Sequence, residues 1–177
     1  MTVKFVRKAV KDDITTIMSI LQKAKKFLAE ENIPQWQNGY PDLKVAEDDI
    51  SKGYAYVLIV GKSVAGVATL FQEEDSNYHK IYAGEWAHQK KMERYTSIHR
   101  IAIDENYRGE HLSDFFFSNL LTIAYQLGFR QVRIDTHVLN KRMQHIIDKA
   151  GFNYAGVVYM DDNSEDRRNA YQLFLAG

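Results

Sequence analysis

The sequence predicts a single mixed α/β domain, a sheet flanked by helices that contains a parallel strand pair. Three observations carry this. Residues 95–104 place Ile98, Ile101 and Ile103 among β-favouring neighbours, and residues 131–136 read as another strand. Between them Leu112, Phe116, Leu120, Ile123 and Leu127 recur at helical spacing on one face of a long helix, which Gly128 stops. Two strands joined by a helical crossover of this length should be parallel. The third observation is a hairpin: residues 54–60 and 64–72 are apolar strands around Gly61-Lys62-Ser63.

The other elements follow in order. Residues 3–9 alternate as a first strand. Asp12 or Asp13 is placed to cap a helix with Ile14, Ile17, Met18, Leu21 and Leu28 on one face, ending near Glu31 and Asn32. Residues 33–41 hold both prolines of the chain together with Trp36 and Tyr40, and cannot be regular helix. Residues 43–52 read as a short acidic helix stopped at Gly53. Residues 73–92 are polar and irregular around Tyr82-Ala83-Gly84-Glu85-Trp86. A helix over 140–150 closes at Gly151, and two terminal strands, 152–160 and 170–175, flank the polar stretch 161–168.

At 177 residues the chain makes one domain with a proper core and is too short for two ordinary ones. Lys+Arg and Asp+Glu are equal at 23 each, which argues against nucleic acid as the main partner, since that calls for a basic face. The runs Lys23-Ala24-Lys25-Lys26 and Lys90-Lys91 with Arg94 are short and read as solvated surface. The absence of cysteine excludes disulfides, thiolate zinc sites and an acyl-cysteine intermediate. The histidines form no ligand spacing, so no metal is assigned. MTVKFVRKAV lacks the apolar run of a signal peptide, and no segment approaches the ~20 apolar residues of a membrane span. The expectation is a cytoplasmic protein without a membrane partner.

The chemistry suggested by residues 106–113 is anion binding by backbone. This turn opens the long helix at Gly109. Free N–H groups in a first helical turn and the positive end of the helix dipole suit a phosphate. Glycine lets the chain approach the ligand, and Arg108 adds a fixed positive charge. Alone, such a junction is a weak signal.

The wider pattern is more specific. Asn106-Tyr107-Arg108-Gly109-Glu110-His111, then Asn140, then Gly151-Phe152 resembles the acetyl-CoA signature of the GNAT N-acyltransferase superfamily. That signature is Gln/Arg-x-x-Gly-x-Gly/Ala after a central strand, followed by a helix, a strand and an Asn-led helix ending in Gly-Phe. The chain departs from it at Asn106 and at His111, where glycine or alanine is expected, and carries Ser113 where many members have a further glycine. The resemblance implies a β-α-α-β-β-β-α-β-α-β-β order, with the fourth and fifth strands splayed to admit acyl-CoA. It also implies that Ile101, Ala102 and Ile103 offer main-chain groups to the pantetheine arm and thioester, one N–H facing the developing oxyanion. Arg108, Gly109, Glu110, His111, Leu112 and Ser113 would hold the pyrophosphate. Asn140 stands by the pantetheine arm in the family, but equally reads as an N-cap for the Met143 amide.

Seven positions beyond Asn140 many members carry a tyrosine that protonates the leaving thiolate; here the residue is Ile147. Tyr154 and Tyr159 are the nearest substitutes. A base must also take a proton from the substrate ammonium, whose pKa is about 10 if lysine-like. Glu85 and His99 are the candidates, and His99 equally reads as a half-buried strand residue. Trp36, Tyr40 and Trp86 fall where the fold builds its acceptor site, as substrate walls or as a roof over the core. The expected activity is direct acetyl transfer from acetyl-CoA to an amine of a small molecule or peptide, with a homodimer paired through the last strands unsurprising. One alternative is a non-catalytic acyl-CoA-binding domain. Another is a different nucleotide-binding domain, although Tyr56 stands where a phosphate-binding loop ending in Gly61-Lys62-Ser63 needs its first glycine.

Overall fold

The computed structural model describes residues 2–87 and 94–176. It contains the strands β1 (Lys4–Lys8), β2 (Ala55–Val60), β3 (Ser63–Phe71), β4 (Tyr95–Ile103), β5 (Gln131–His137), β6 (Asn153–Tyr159) and β7 (Arg167–Phe174). The helices are α1 (Ile14–Glu30), α2 (Leu43–Ser51), α3 (Leu112–Gln126) and α4 (Lys141–Lys149). The element order is the one the family resemblance implies. The Lys90-Lys91 run lies outside the described residues, whereas Arg94 sits over the Phe129 ring at 5.0 Å.

The seven strands form one sheet in the order β1-β2-β3-β4-β5-β7-β6. Of its neighbouring pairs, β4 with β5 is the parallel one, as the α3 crossover demands. β2 is a continuous apolar run because both its faces are covered. Tyr56 and Leu58 join α3, α4 and Phe129 in one cluster; Ala55, Val57 and Ile59 join α1 and α2 in another. The hairpin turn is tighter than the sequence suggested, with Gly61 and Lys62 between the strands and Gly61 at φ +63°.

The start of α1 differs from expectation. Asp13 makes no side-chain cap to the helix. Its carboxylate instead accepts the Val10 N–H at 2.8 Å and both Arg7 nitrogens at 2.7 and 2.9 Å. A bidentate guanidinium outcompetes a helix amide for the same oxygens.

The segment after β3 is anchored from both ends. A 3-10 turn over Ser76–Tyr78 puts the Tyr78 ring in the core, and Tyr82 bridges to Val157 of β6 by two backbone hydrogen bonds of 2.7 and 2.8 Å. Gly84 lies so close to β6 that a Cβ would overlap the Ala155 carbonyl oxygen. Replacing Gly84 with alanine is therefore expected to lift this segment off β6, costing roughly 1–3 kcal/mol. A urea-unfolding midpoint unchanged from the wild-type value would contradict this packing.

Candidate active site

β4 and β5 pair at three positions, Tyr95 with Gln131, Thr96 with Val132 and Ser97 with Arg133, and then part. β5 goes on to pair with β7 along its whole length. Beyond the split lies a cavity of about 1190 Å³, larger than the ~300–1,000 Å³ typical of a single-ligand pocket.

At one end of the cavity stands the N-terminus of α3. The 3-10 turn Glu105–Tyr107 is capped by Asp104, whose carboxylate accepts the Asn106 N–H at 2.9 Å and faces Lys23 of α1 at 3.3 Å. The chain then turns through Gly109 at φ +88° and His111 at φ +54°. A Cβ on Gly109 would meet nothing within 4 Å, so the space above it is open. The amides of Gly109, His111, Leu112 and Ser113 have no acceptor among the described residues. That is a helix end short of anionic partners, and a diphosphate fits it. Glu110 behaves otherwise than expected: its N–H is taken by the Tyr107 carbonyl at 3.3 Å, and its carboxylate lies 3.9 Å from Lys4, off the cavity wall. Arg108 from this turn and Arg142 from α4 both rest on the Phe27 ring, at 5.0 and 5.2 Å, and so place two cations at the mouth.

Ile101, Ala102 and Ile103 line the middle. Here β4 carries a bulge. Val67 pairs with Ala102 and Thr69 with His99, so Arg100 and Ile101 together oppose Ala68. Arg100 takes φ +51°, a conformation that costs a non-glycine residue about 1 kcal/mol and recurs at functional sites. Its guanidinium is nearly buried. Nε and Nη2 donate to the two Asp49 carboxylate oxygens at 2.7 and 2.8 Å, and Nη1 donates to the Tyr40 hydroxyl. Thr69 completes the site by donating to Asp49 at 2.6 Å.

His99 lies beside the bulge in the cavity wall, with Nε2 2.9 Å from Asp75 Oδ2. The other Asp75 oxygen accepts the Asn77 N–H at 2.9 Å, and the Asp75 N–H donates to the Tyr95 hydroxyl at 3.0 Å. Burial works to raise the Asp75 carboxyl. The hydrogen bond and charge of His99, with the Asn77 amide, outweigh it and hold its pKa below the ordinary value. Asp75 is thus ionised beside the ring.

Asn140 caps α4, its Oδ1 accepting the Met143 N–H at 3.1 Å, and it also lines the cavity. Its Nδ2 donates to Gln35 Oε1 at 3.3 Å, the oxygen that also takes the His137 N–H at 3.1 Å and the Thr136 hydroxyl at 3.3 Å. Trp36 and Tyr40, on the same loop as Gln35, stand in the wall. Trp86 does not. It is buried, donates its indole N–H to the Tyr78 carbonyl at 2.9 Å, and stacks on Arg133. Its ring fills core space under the anchored segment, so it is a roof and not a substrate wall. Glu85 is exposed and off the cavity. Tyr154 is exposed against Tyr171, and Tyr159 packs on Tyr82. Ile147 is fully buried on the core-facing side of α4. Sequence reasoning missed Asp49, Asp75, Arg100, Gln35 and Arg142.

A parted parallel pair with an anion cradle at the start of the crossover helix is the architecture of an acyl-CoA-dependent transferase. The chain belongs to the acetyltransferase (GNAT) family, whose profile matches residues 21–152. Acyl transfer is the chemistry this membership brings. A GNAT-family acetyltransferase structure from Streptococcus agalactiae is 33% identical, with 98% of this chain and 96% of that one aligned at a TM-score of 0.88. More distant structures share the fold. One from Salmonella typhimurium, solved with its cofactor acetyl-CoA, is 16% identical, covering 98% of this chain and 94% of that one at a TM-score of 0.68. Spermidine N-acetyltransferase from Vibrio cholerae, in complex with CoA and spermine, is 12% identical, covering 97% and 95% at 0.67. No curated protein matches the chain in sequence.

Two outcomes follow from the geometry. His111→Gly removes the left-handed strain and should raise stability by about 1 kcal/mol without weakening acetyl-CoA binding, read by urea midpoint and calorimetry. The second concerns His137, whose Nδ1 accepts the Leu139 N–H at 3.2 Å and steers the loop into α4. Burial, then the Arg168 guanidinium, hold its pKa below the ordinary value against the opposing pull of Asp166. The unfolded chain binds a proton here more readily than the folded one. This contribution is present above the unfolded value of about 6.5 and is lost as pH falls through the folded one. His137→Asn should flatten the decline in stability between about pH 7 and about pH 5.

Proposed function

We propose that the chain is an acetyl-CoA-dependent N-acetyltransferase that passes the acetyl group directly to an amine of a small molecule or peptide. The observation carrying this reading is a single cavity that runs from the free amides of α3 to the His99–Asp75 pair. Gly109, His111, Leu112 and Ser113 offer N–H groups to the pyrophosphate, with Arg108 and Arg142 as cations beside it. Ile101, Ala102 and Ile103 offer main-chain groups to the pantetheine arm and thioester. Asn140 positions the start of α4 against that arm. On the other side of the thioester, Trp36 and Tyr40 wall the acceptor.

His99 is the proton acceptor in this scheme, and Asp75, 2.9 Å from its Nε2, orients the ring. With Nε2 turned to Asp75, Nδ1 is left to take the amine proton, directly or through one water. Glu85 and Tyr154 have no part, being outside the cavity. A family member without turnover is the second reading, favoured by the burial of Ile147 where many members keep their tyrosine.

The test is release of free CoA thiol with a panel of polyamines, amino acids and peptide N-termini, the acetylated product confirmed by mass. At least one amine should be acetylated. Calorimetric binding of acetyl-CoA with no product from any amine would leave the non-catalytic reading standing. With an active amine, His99→Gln should lower kcat about 10²–10⁴-fold at little change in acetyl-CoA KM. A kcat within about threefold of wild type would remove His99 from the mechanism.

A further inference from the structure

Ile147 leaves the departing thiolate without its usual proton donor, and the cavity wall offers a replacement. Two tyrosines are among its described lining residues, Tyr40 and Tyr107. Tyr107 lies in the 3-10 turn at the phosphate end and packs against the cluster under α3. Tyr40 reaches the bulge itself, where Arg100 Nη1 donates to its oxygen. A phenol oxygen that accepts from arginine keeps its own proton for another partner, and among the described residues no acceptor takes it. We propose that Tyr40, held by Arg100 and Asp49, is the general acid that protonates the CoA sulfur. This rests on the acetyl-transfer reading above.

The placement follows from the bulge. His99 and Arg100 are neighbours on β4 immediately before Ile101, so a base and a tyrosine-bearing cation converge on the segment assigned to the thioester. Arg100 cannot swing away, because Asp49 fixes two of its nitrogens. Burial of the Tyr40 hydroxyl raises its pKa, and Arg100 opposes this in part; the net displacement is upward, so the proton stays on oxygen at neutral pH. The same guanidinium faces the phenolate once the proton has left.

The amine nitrogen attacks the thioester carbonyl carbon, forming the C–N bond and moving the carbonyl pair to oxygen, and His99 accepts the N–H proton. As the carbonyl re-forms, the C–S bond breaks with its pair on sulfur. The Tyr40 Oη–H proton goes to that sulfur. The phenolate regains a proton from water and the imidazolium returns one, so a neutral amine reacts with no net proton change and an amine that arrives as its ammonium releases one proton to solvent.

The experiment uses the full chain, an amine it acetylates, and two donors: acetyl-CoA and its selenoester analogue, whose selenolate is a weaker base and leaves without a proton. Tyr40→Phe should reduce kcat with acetyl-CoA at least about 10²-fold at little change in acetyl-CoA KM. With the selenoester the deficit should shrink to within about fivefold. Tyr40→His, which restores a donor, should recover part of the thioester rate. Equal losses with both donors, or a raised acceptor KM at unchanged kcat, would make Tyr40 a structural or acceptor-binding residue and overturn the proposal. Tyr40→Phe acting within about threefold of an active wild type would overturn this assignment alone. A wild type inactive with every amine would overturn the N-acetyl reading and this one with it.

Discussion

The structure depends on the point where β4 and β5 let go of each other. Backbone N–H and C=O groups inside a protein need partners, and a strand that loses its neighbour must find others. β5 finds them in β7. β4 keeps β3 on one side and has the cavity on the other, along Ile101, Ala102 and Ile103. The parting also decides where α3 begins, since the crossover leaves β4 at the rim of the opening. A hydrogen-bonding edge and a helix end with spare donors therefore face the same space.

Backbone strain gathers at the same place. Arg100 and His111 both occupy the left-handed region without being glycine, one at the bulge and the other at the N-terminus of α3. Each is held by its surroundings: Arg100 by Asp49 and Tyr40, His111 by the chain reversal after Gly109. A bulge in the middle of a central strand weakens the ladder but turns consecutive side chains toward one cavity.

Much of the architecture could be read from local chemistry. Periodicity marks α3, Gly128 its end, and the junction around Gly109 the free amides. The Asn140 cap on Met143 followed from residue type alone. What escaped was pairing over distance. Asp49 and Arg100 are separated by 51 positions, Asp75 and His99 by 24, and which charges meet depends on a bulge with no periodic signature. An aspartate in an acidic amphipathic helix looks solvated until its partner is known. Trp86 failed for a related reason: an aromatic in an irregular segment reads the same whether the segment folds outward or is pinned onto β6 and β7, and here the Gln172 side chain accepts from the Ala87 N–H at 2.9 Å.

Gln35 carries a last implication, for how the chain tolerates insertions and deletions. One amide oxygen ties the loop after α1 to the end of β5 and to the first residue ahead of α4. Loops are ordinarily where length drifts most freely. This one is clamped near its start, and its far end is clamped by Tyr40 on Arg100. Added residues could be accommodated between those two points, around Asn38 and Gly39, where the chain is exposed, without unseating either wall of the cleft.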